Sequence, residues 1–289
     1  MHRTLHGPGL KSTQALPEFY QGATADYVKV DGKWVDGMAQ DNMLTALQNL
    51  QDAYTAGLID QEAITNTTSS CRDEWYAGTV GCFPYWGGLW GETLTVRLKQ
   101  NVPDAEVIAL PPIEGATYLY SAPSVQVISS KLSDEQVASV YKYFIEYMHD
   151  GGEGQVLFQS GVEGVHWQQS GNNIDPLPTI SKPAEAFRKA WITPWLALTP
   201  MTATDKNVEV SQEVTDSLAV VSANAKNISV FPVSEQRTMI TSDLTTTREN
   251  IISRVAMGQL TPEEGMAEYK AQAETLNVAQ ALEEMNANA

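Results

Sequence analysis

Cysteine, histidine and positive charge are all in short supply in this chain of 289 residues, and each scarcity excludes something. The two cysteines, Cys71 and Cys82, are spaced like neither a CxxC redox pair nor a zinc cluster. A disulfide and two buried free thiols both satisfy that spacing, so the cysteines do not fix the compartment. Of the four histidines, His2 and His6 stand where Gly7, Pro8 and Gly9 argue against a metal-binding helix, His149 falls at a helix end and His166 in a loop. Eighteen lysines and arginines against thirty-five acidic residues give a formal charge of -17, which repels nucleic acid and an anionic membrane surface alike. The acidic residues are dispersed, as on a well-solvated surface.

Long apolar runs are missing as well. None reaches the roughly 18 residues of a membrane span, and the start MHRTLHGPGLKSTQ lacks the apolar core of a secretory signal. There is no GxSxG elbow, no phosphate-cradling GxxxxGK[ST] and no dinucleotide fingerprint, and Gly151-Gly152-Glu153-Gly154 is too weak a signal to count as one. No internal repeat or low-complexity stretch occurs. The residues point to no cofactor and no metal.

What is present is a 43% hydrophobic chain long enough for one large domain or two lobes. After an irregular start broken by Gly7, Pro8, Gly9, Pro17 and Gly22, YVKVDGKWV predicts a hairpin turning at Asp31-Gly32. A helix follows, capped by Asp41, with Leu44, Leu47, Leu50 and Tyr54 on its buried face and Gly57 as its stop. A short helix over Arg72 to Gly78 precedes the strand TVGCF. A further helix, ETLTVRLKQ, leads to the strands EVIALPPI and SVQVISS. Ser133 and Gln136 then form a capping box for a helix whose face carries Val137, Val140, Tyr141, Phe144 and Met148, ended by Gly151-Gly152. The C-terminal part is helical from about Ser234 to Met257. A second helix there starts at Thr261, with Pro262 in its first turn and Glu264 completing a capping box. Strands alternating with helices imply an α/β fold with some parallel pairing.

Two segments carry the chemistry. FPYWGGLWG, Phe83 to Gly91, sets Tyr85, Trp86 and Trp90 on a glycine-punctuated turn, and flat aromatic faces on such a turn suit the stacking of a sugar ring. A tight turn with its tryptophans packed inside fits the same residues. LFQSGVEGVHWQQ, Leu157 to Gln169, places Glu163, His166 and Trp167 in a glycine-spaced loop that suits a binding wall, or a structural turn with Trp167 in the core. Trp191 and Trp195 mark a further aromatic segment. An enzyme remains an alternative, because a glycoside hydrolase needs only two carboxylates about 5 to 10 Å apart, and Asp73, Glu74, Glu92 and Glu163 are available. A module that binds no small ligand is the third reading.

The succession YTAGLID, EWYAGTVGCFPYWGGLWG, EVIALPPIEG, SAPSVQVISSKLSDEQVASVYKYFIEYM and FQSGVEGVHW resembles the later part of the extracellular solute-binding proteins of ABC importers. It is similar in particular to the carbohydrate-binding family that includes maltose-binding protein, and to its larger Gram-positive lipoproteins. In that family a turn after a short strand bears an aromatic that stacks on the sugar, which falls here on Trp86 or Trp90. The "LP-x-x-G" stretch is ALPPIEG, residues 109 to 115, and the crossing toward the other lobe corresponds to about Tyr118 to Ser124.

The resemblance runs from Tyr27 to the C-terminus and implies a type II periplasmic-binding-protein-like architecture of two lobes, lacking the lipobox signal and much of the N-terminal lobe. It implies an irregular start or linker over 1–26, part of the second lobe over 27–117 and a return to the first lobe over 118–200. A helical segment over 201–289 then packs back on the second lobe. It further implies a monomeric, non-enzymatic binding protein that closes on an oligosaccharide and delivers it to a membrane permease. In full length such a protein is lipid-anchored on the extracellular face. The ligand-binding set expected on this ground is Tyr85, Trp86, Trp90, Glu92, Glu163, His166 and Trp167.

Overall fold

A computed structural model describes residues 3–4, 17–110, 118–120, 127–177, 201–227 and 230–289. Strand β1 (Arg3–Thr4) and helix α1 (Pro17–Tyr20) precede the hairpin of β2 (Tyr27–Val30) and β3 (Lys33–Asp36). Helices α2 (Asn42–Thr55) and α3 (Thr68–Tyr76), strand β4 (Val80–Cys82) and helix α4 (Leu89–Asn101) come next. Strand β5 (Tyr118–Tyr120) is followed by α5 (Asp134–Val140), which continues as a π-helical stretch over Tyr141–Glu146, and by α6 (Glu153–Ser160). A second hairpin, β6 (Trp167–Ser170) with β7 (Asn173–Pro176), leads to α7 (Gln212–Asn224) and β8 (Ala225–Asn227). Helices α8 (Glu235–Ala256), α9 (Pro262–Thr275) and α10 (Val278–Ala287) close the chain. The strands pair two by two: β1 with β4 and β5 with β8 in parallel, and the two hairpins antiparallel.

The chain divides into two compact units, one of residues 1–87, 94–122 and 216–289, the other of 88–93 and 123–215. In the first, the β2–β3 hairpin packs with α2, α8, α9 and α10 around a core that includes Trp34, Met43, Leu47, Leu50, Leu244, Ile251, Tyr269 and Met285. Asp31 and Gly32, at φ +49° and +81°, supply the left-handed pair that a two-residue type I′ hairpin needs, so the turn forms where Asp-Gly predicts it. The register puts Tyr27 opposite Asp36 and Lys29 opposite Trp34 on one face. The outer strand is finished by α10: the Asn286 side chain accepts from the Trp34 amide at 2.8 Å and donates to the Trp34 carbonyl at 2.9 Å, taking the place of a neighbouring strand.

Beneath that hairpin lies a buried polar cluster. The Arg248 guanidinium donates to Asp36 at 2.7 Å, reaches Asp26 at 3.4 Å and donates through Nε to the Tyr269 hydroxyl, which itself donates to Asp36 at 2.6 Å. Burial opposes the charge on Arg248, yet its pKa is held above the ordinary value by Tyr269 and the two aspartates. Burial is also the main cause that pushes the Tyr27 phenol up to about 12.

The second unit is built on Val156, Trp167 and Ile174, with Met201 and Val208 packed against them. Its α6 starts under Asp150, whose carboxylate accepts from the amides of Gly152, Gly154 and Gln155 at 2.7 to 3.0 Å and so occupies the donors a helix start leaves open. Among the described residues no helix is long and apolar enough to cross a membrane.

Several expectations need correction. Asp41 stands at the start of α2, but its backbone is already helical and its side chain caps nothing. The buried face of α2 is Met43, Ala46, Leu47, Leu50 and Ala53, one position round from the stripe expected, leaving Leu44 and Tyr54 half-buried. Helix α3 begins before Arg72 because Thr67 and Ser70 form a capping box there. No strand covers residues 105–110, where Ile108 and Leu110 are exposed, nor 127–130, where Val127 is exposed; apolar alternation does not itself supply a partner strand. The Ser133–Gln136 and Thr261–Glu264 capping boxes form as expected, whereas Val140, Tyr141 and Phe144 on the first of these helices are exposed. Residues 111–117 and 121–126, with most of ALPPIEG and the start of SVQVISS, lie outside the described residues, as do His2, His6, Trp191 and Trp195.

Candidate functional site

The aromatic turn grows from β4. Val80 is buried, Phe83, Pro84 and Tyr85 are half-buried as the chain leaves the strand, and Trp86 emerges 58% exposed. Gly87 lets the backbone pass close to α7: a Cβ there would stand 3.0 Å from Ser217 Oγ and Val221 Cγ2. Gly88, at φ +69°, then turns the chain into α4, whose first turn is tied by the Gly91 amide donating to the Gly88 carbonyl at 2.8 Å. The helix thus starts at Leu89, three residues before the expected Glu92. Trp90 therefore rides on the first turn of the helix rather than on the turn before it, and Glu92 is helical as expected.

Tyr85 belongs to a ladder of rings. Trp75 on α3 stacks on Phe83 with centroids 5.5 Å apart and planes 20° from parallel, and Phe83 stacks on Tyr85 at 4.9 Å and 13°. These separations are those of offset aromatic stacks. The inner end is anchored, since the Trp75 indole N–H donates to the Leu94 carbonyl at 3.2 Å. At Tyr85 the ladder meets a cation: the phenol hydrogen-bonds with the side chain of Arg72, one helical turn before Trp75 on α3. Burial raises the Tyr85 pKa and Arg72 opposes the rise. Cys71, beside Arg72, is a buried thiol whose pKa burial raises, Cys82 is half-buried, and neither is in a disulfide.

The other expected residues lie in the second unit. Trp90 is buried at 8% exposure and Glu92 is half-buried. Trp167 is buried at 3%, with its indole N–H donating to the Gly161 carbonyl at 2.9 Å. His166 Nδ1 accepts from the Val162 amide at 2.9 Å, so the ring closes the loop on itself. Glu163 is exposed and bridges to Trp167 through the backbone. Leu157 to Ser160, read as part of this loop, are the last turns of α6.

The structure therefore keeps Tyr85 and Trp86 together in one unit and sets Glu163, His166 and Trp167 in a tight turn of the other. Arg72 and Trp75 were absent from the expected set, although their i, i+3 spacing before an aromatic turn was the available sign. Among the described residues no group of three His, Cys, Asp or Glu side chains is gathered to hold a metal ion.

No protein-family model matches the chain, and no curated protein matches it. Solved structures do. The chain is similar to the alginate-binding protein AlgQ2 without calcium ion, at a TM-score of 0.65 and 16% identity over 99% of this chain. It is similar also to an HMO-binding, ABC-transporter-associated solute-binding protein from Bifidobacterium longum infantis, at 0.62 and 14% over 99%. In both cases the match spans 63% of the other protein's length. Both are binding proteins. The fold of this chain is the one these two binding proteins have, over 63% of their length.

Proposed function

We propose that this chain is the ligand-binding part of an extracellular solute receptor that takes up an oligosaccharide and presents it to an ABC importer permease. The observation that carries the reading is Trp86, exposed beside an anchored stack of three rings within a solute-binding fold. A sugar ring buries its axial C–H face against such a plane, and that face gains little from water. The anchored stack holds Phe83 and Tyr85, the residues leading into Trp86, in place before the sugar arrives, so little side-chain entropy is lost there on binding. Arg72 and Tyr85 supply hydrogen-bonding groups at its edge for the hydroxyls that stacking alone would leave unmet. No covalent step is required. The receptor works as a monomer, anchored by lipid on the outer face of the membrane.

Calorimetry of the chain with a panel of mono- and oligosaccharides tests the reading, supported by thermal shift, since a ligand bound only by the folded state raises Tm with the logarithm of its concentration over Kd. Binding with no product detected by chromatography fits a receptor. Turnover of an oligosaccharide, or no binding across the panel by a cooperatively melting chain, overturns it.

A further inference from the structure

Two polar groups in the core of the first unit are left over by its hydrogen bonding. The Tyr27 hydroxyl and the Trp34 indole N–H are buried, on residues 7% and 4% exposed, and neither has a hydrogen-bond partner among the described residues. The hairpin register makes these two side chains neighbours. Tyr27 stands opposite Asp36 and Lys29 opposite Trp34, so Tyr27 and Trp34 are diagonal partners on one face, a relation that sets residues about 7–8 Å apart and within reach of aromatic side chains. Phe231 covers both, edge-on to Trp34 with centroids 5.3 Å apart at 64° and to Tyr27 at 6.1 Å and 81°. A phenyl ring is at most a weak acceptor, so the cover that takes these groups out of water gives them little in return. Native cores almost always match such groups with protein or with ordered water. Charges of both signs act on Tyr27, Arg248 and Arg237 against Asp36 and Asp26, with the Arg248 guanidinium carbon 5.1 Å from the ring centre. A field balanced in this way favours a neutral acceptor over an anion.

We infer that the fold builds in a site for one internal water molecule, which accepts from the Trp34 indole N–H and hydrogen-bonds with the Tyr27 hydroxyl beneath Phe231. The inference is independent of the saccharide-receptor reading. The indole nitrogen can only donate and the phenol can donate or accept, so the occupant needs an acceptor for the first and either role for the second. Water is the smallest molecule that offers both, and buried waters hold their place by two to four such bonds. Phe231 is itself half-buried, and Val230 and Val233 on either side of it are 85% and 81% exposed, so the segment that covers the site reaches solvent. The water thus ties the β2–β3 hairpin to the segment that leads into α8.

A crystal structure of the unaltered chain, at a resolution that shows ordered solvent, tests it. The expected result is a solvent oxygen within about 3.2 Å of both Trp34 Nε1 and the Tyr27 hydroxyl oxygen. Oxygen-17 relaxation dispersion of the solvent reads the same site in solution. There the double variant Tyr27→Phe with Trp34→Phe, which removes both polar partners, should lose the signal of one long-lived water. The crystal result holds even where the double variant does not fold. A direct hydrogen bond between the two side chains, no solvent oxygen near either, or density too strong for an oxygen overturns the inference. So does an undiminished long-lived-water signal in a double variant that melts cooperatively.

Discussion

Arg248 on α8 and Asp36 at the end of β3, 212 positions apart, meet at 2.7 Å with both side chains almost wholly buried. Tyr269 bonds to both, so three separate elements converge on one charge pair. Removing one partner strands the other charge in the core, at a cost of about 3–5 kcal/mol. Asp36→Ala and Arg248→Ala are each expected to lose that much in urea unfolding. Tyr269→Phe, which takes away only the hydroxyl, should lose about 1–3 kcal/mol. Equal losses for all three would mean that the hydrogen bonds of the Tyr269 hydroxyl, not the charge pair alone, carry the cluster.

Trp86 and Trp75 should separate binding from folding. Trp86→Ala removes a mostly exposed ring and is expected to weaken saccharide binding about tenfold or more, with a change in stability within about 0.5 kcal/mol. Trp75→Ala removes a buried ring that supports the stack and should cost about 3–5 kcal/mol. Calorimetry and urea unfolding on both variants read the two effects, and unchanged affinity in Trp86→Ala would move the site elsewhere.

The start of α6 should be acid-sensitive. Burial works to raise the pKa of Asp150, but the amides of Gly152, Gln155 and Gly154 outweigh it and bring the carboxyl below its usual value. A depressed folded-state pKa gives stability that is fully present above the unfolded value, near 4, and is lost as pH falls through the folded one. Amide exchange at Gly152, Gly154 and Gln155 should therefore quicken below about pH 4 beyond its intrinsic rate, and Asp150→Ala should show the faster opening already at neutral pH, at a cost of about 1 kcal/mol. Protection that does not respond to pH in the unaltered chain would count against the carboxylate as the cap.

The Asn286 clamp on β3 makes the C-terminal helix part of the hairpin. Asn286→Ala leaves the Trp34 amide and carbonyl unmatched and is expected to cost about 1–3 kcal/mol. Asn286→Asp retains the acceptor but sets an anionic oxygen against the Trp34 carbonyl in place of the donor, so its loss should be at least as large. Equality of Asn286→Ala with the unaltered chain in urea unfolding would show that water replaces the side chain without penalty.

The features legible in the sequence are those decided within a few residues. Asp31-Gly32 forces a left-handed turn on its own, and the Ser133–Gln136 and Thr261–Glu264 capping boxes are closed within a single turn. Others depend on partners the sequence does not show. Asp41 carries a good capping side chain, yet the helical backbone runs through it and leaves the carboxylate no amide to take. Trp90 looks equivalent to Trp86 across Gly87-Gly88, but Gly88 starts a helix there and the two rings end at 8% and 58% exposure. Arg72 is not legible in the sequence as a neighbour of the aromatic turn, because its interaction with Tyr85, thirteen positions later, needs that turn folded back onto α3.

That contrast in exposure turns the chain into its own optical sensor. Of the five tryptophans among the described residues, Trp34, Trp75, Trp90 and Trp167 are enclosed, at 8% exposure or less, and only Trp86 faces solvent. Enclosed indoles emit toward the blue and are shielded from acrylamide, whereas Trp86 should emit toward the red and be readily quenched. A sugar settling on Trp86 would shift and protect that component, and subtracting the signal of Trp86→Phe would isolate it from the chain's six other tryptophans, so titration could be followed without attaching a dye or label.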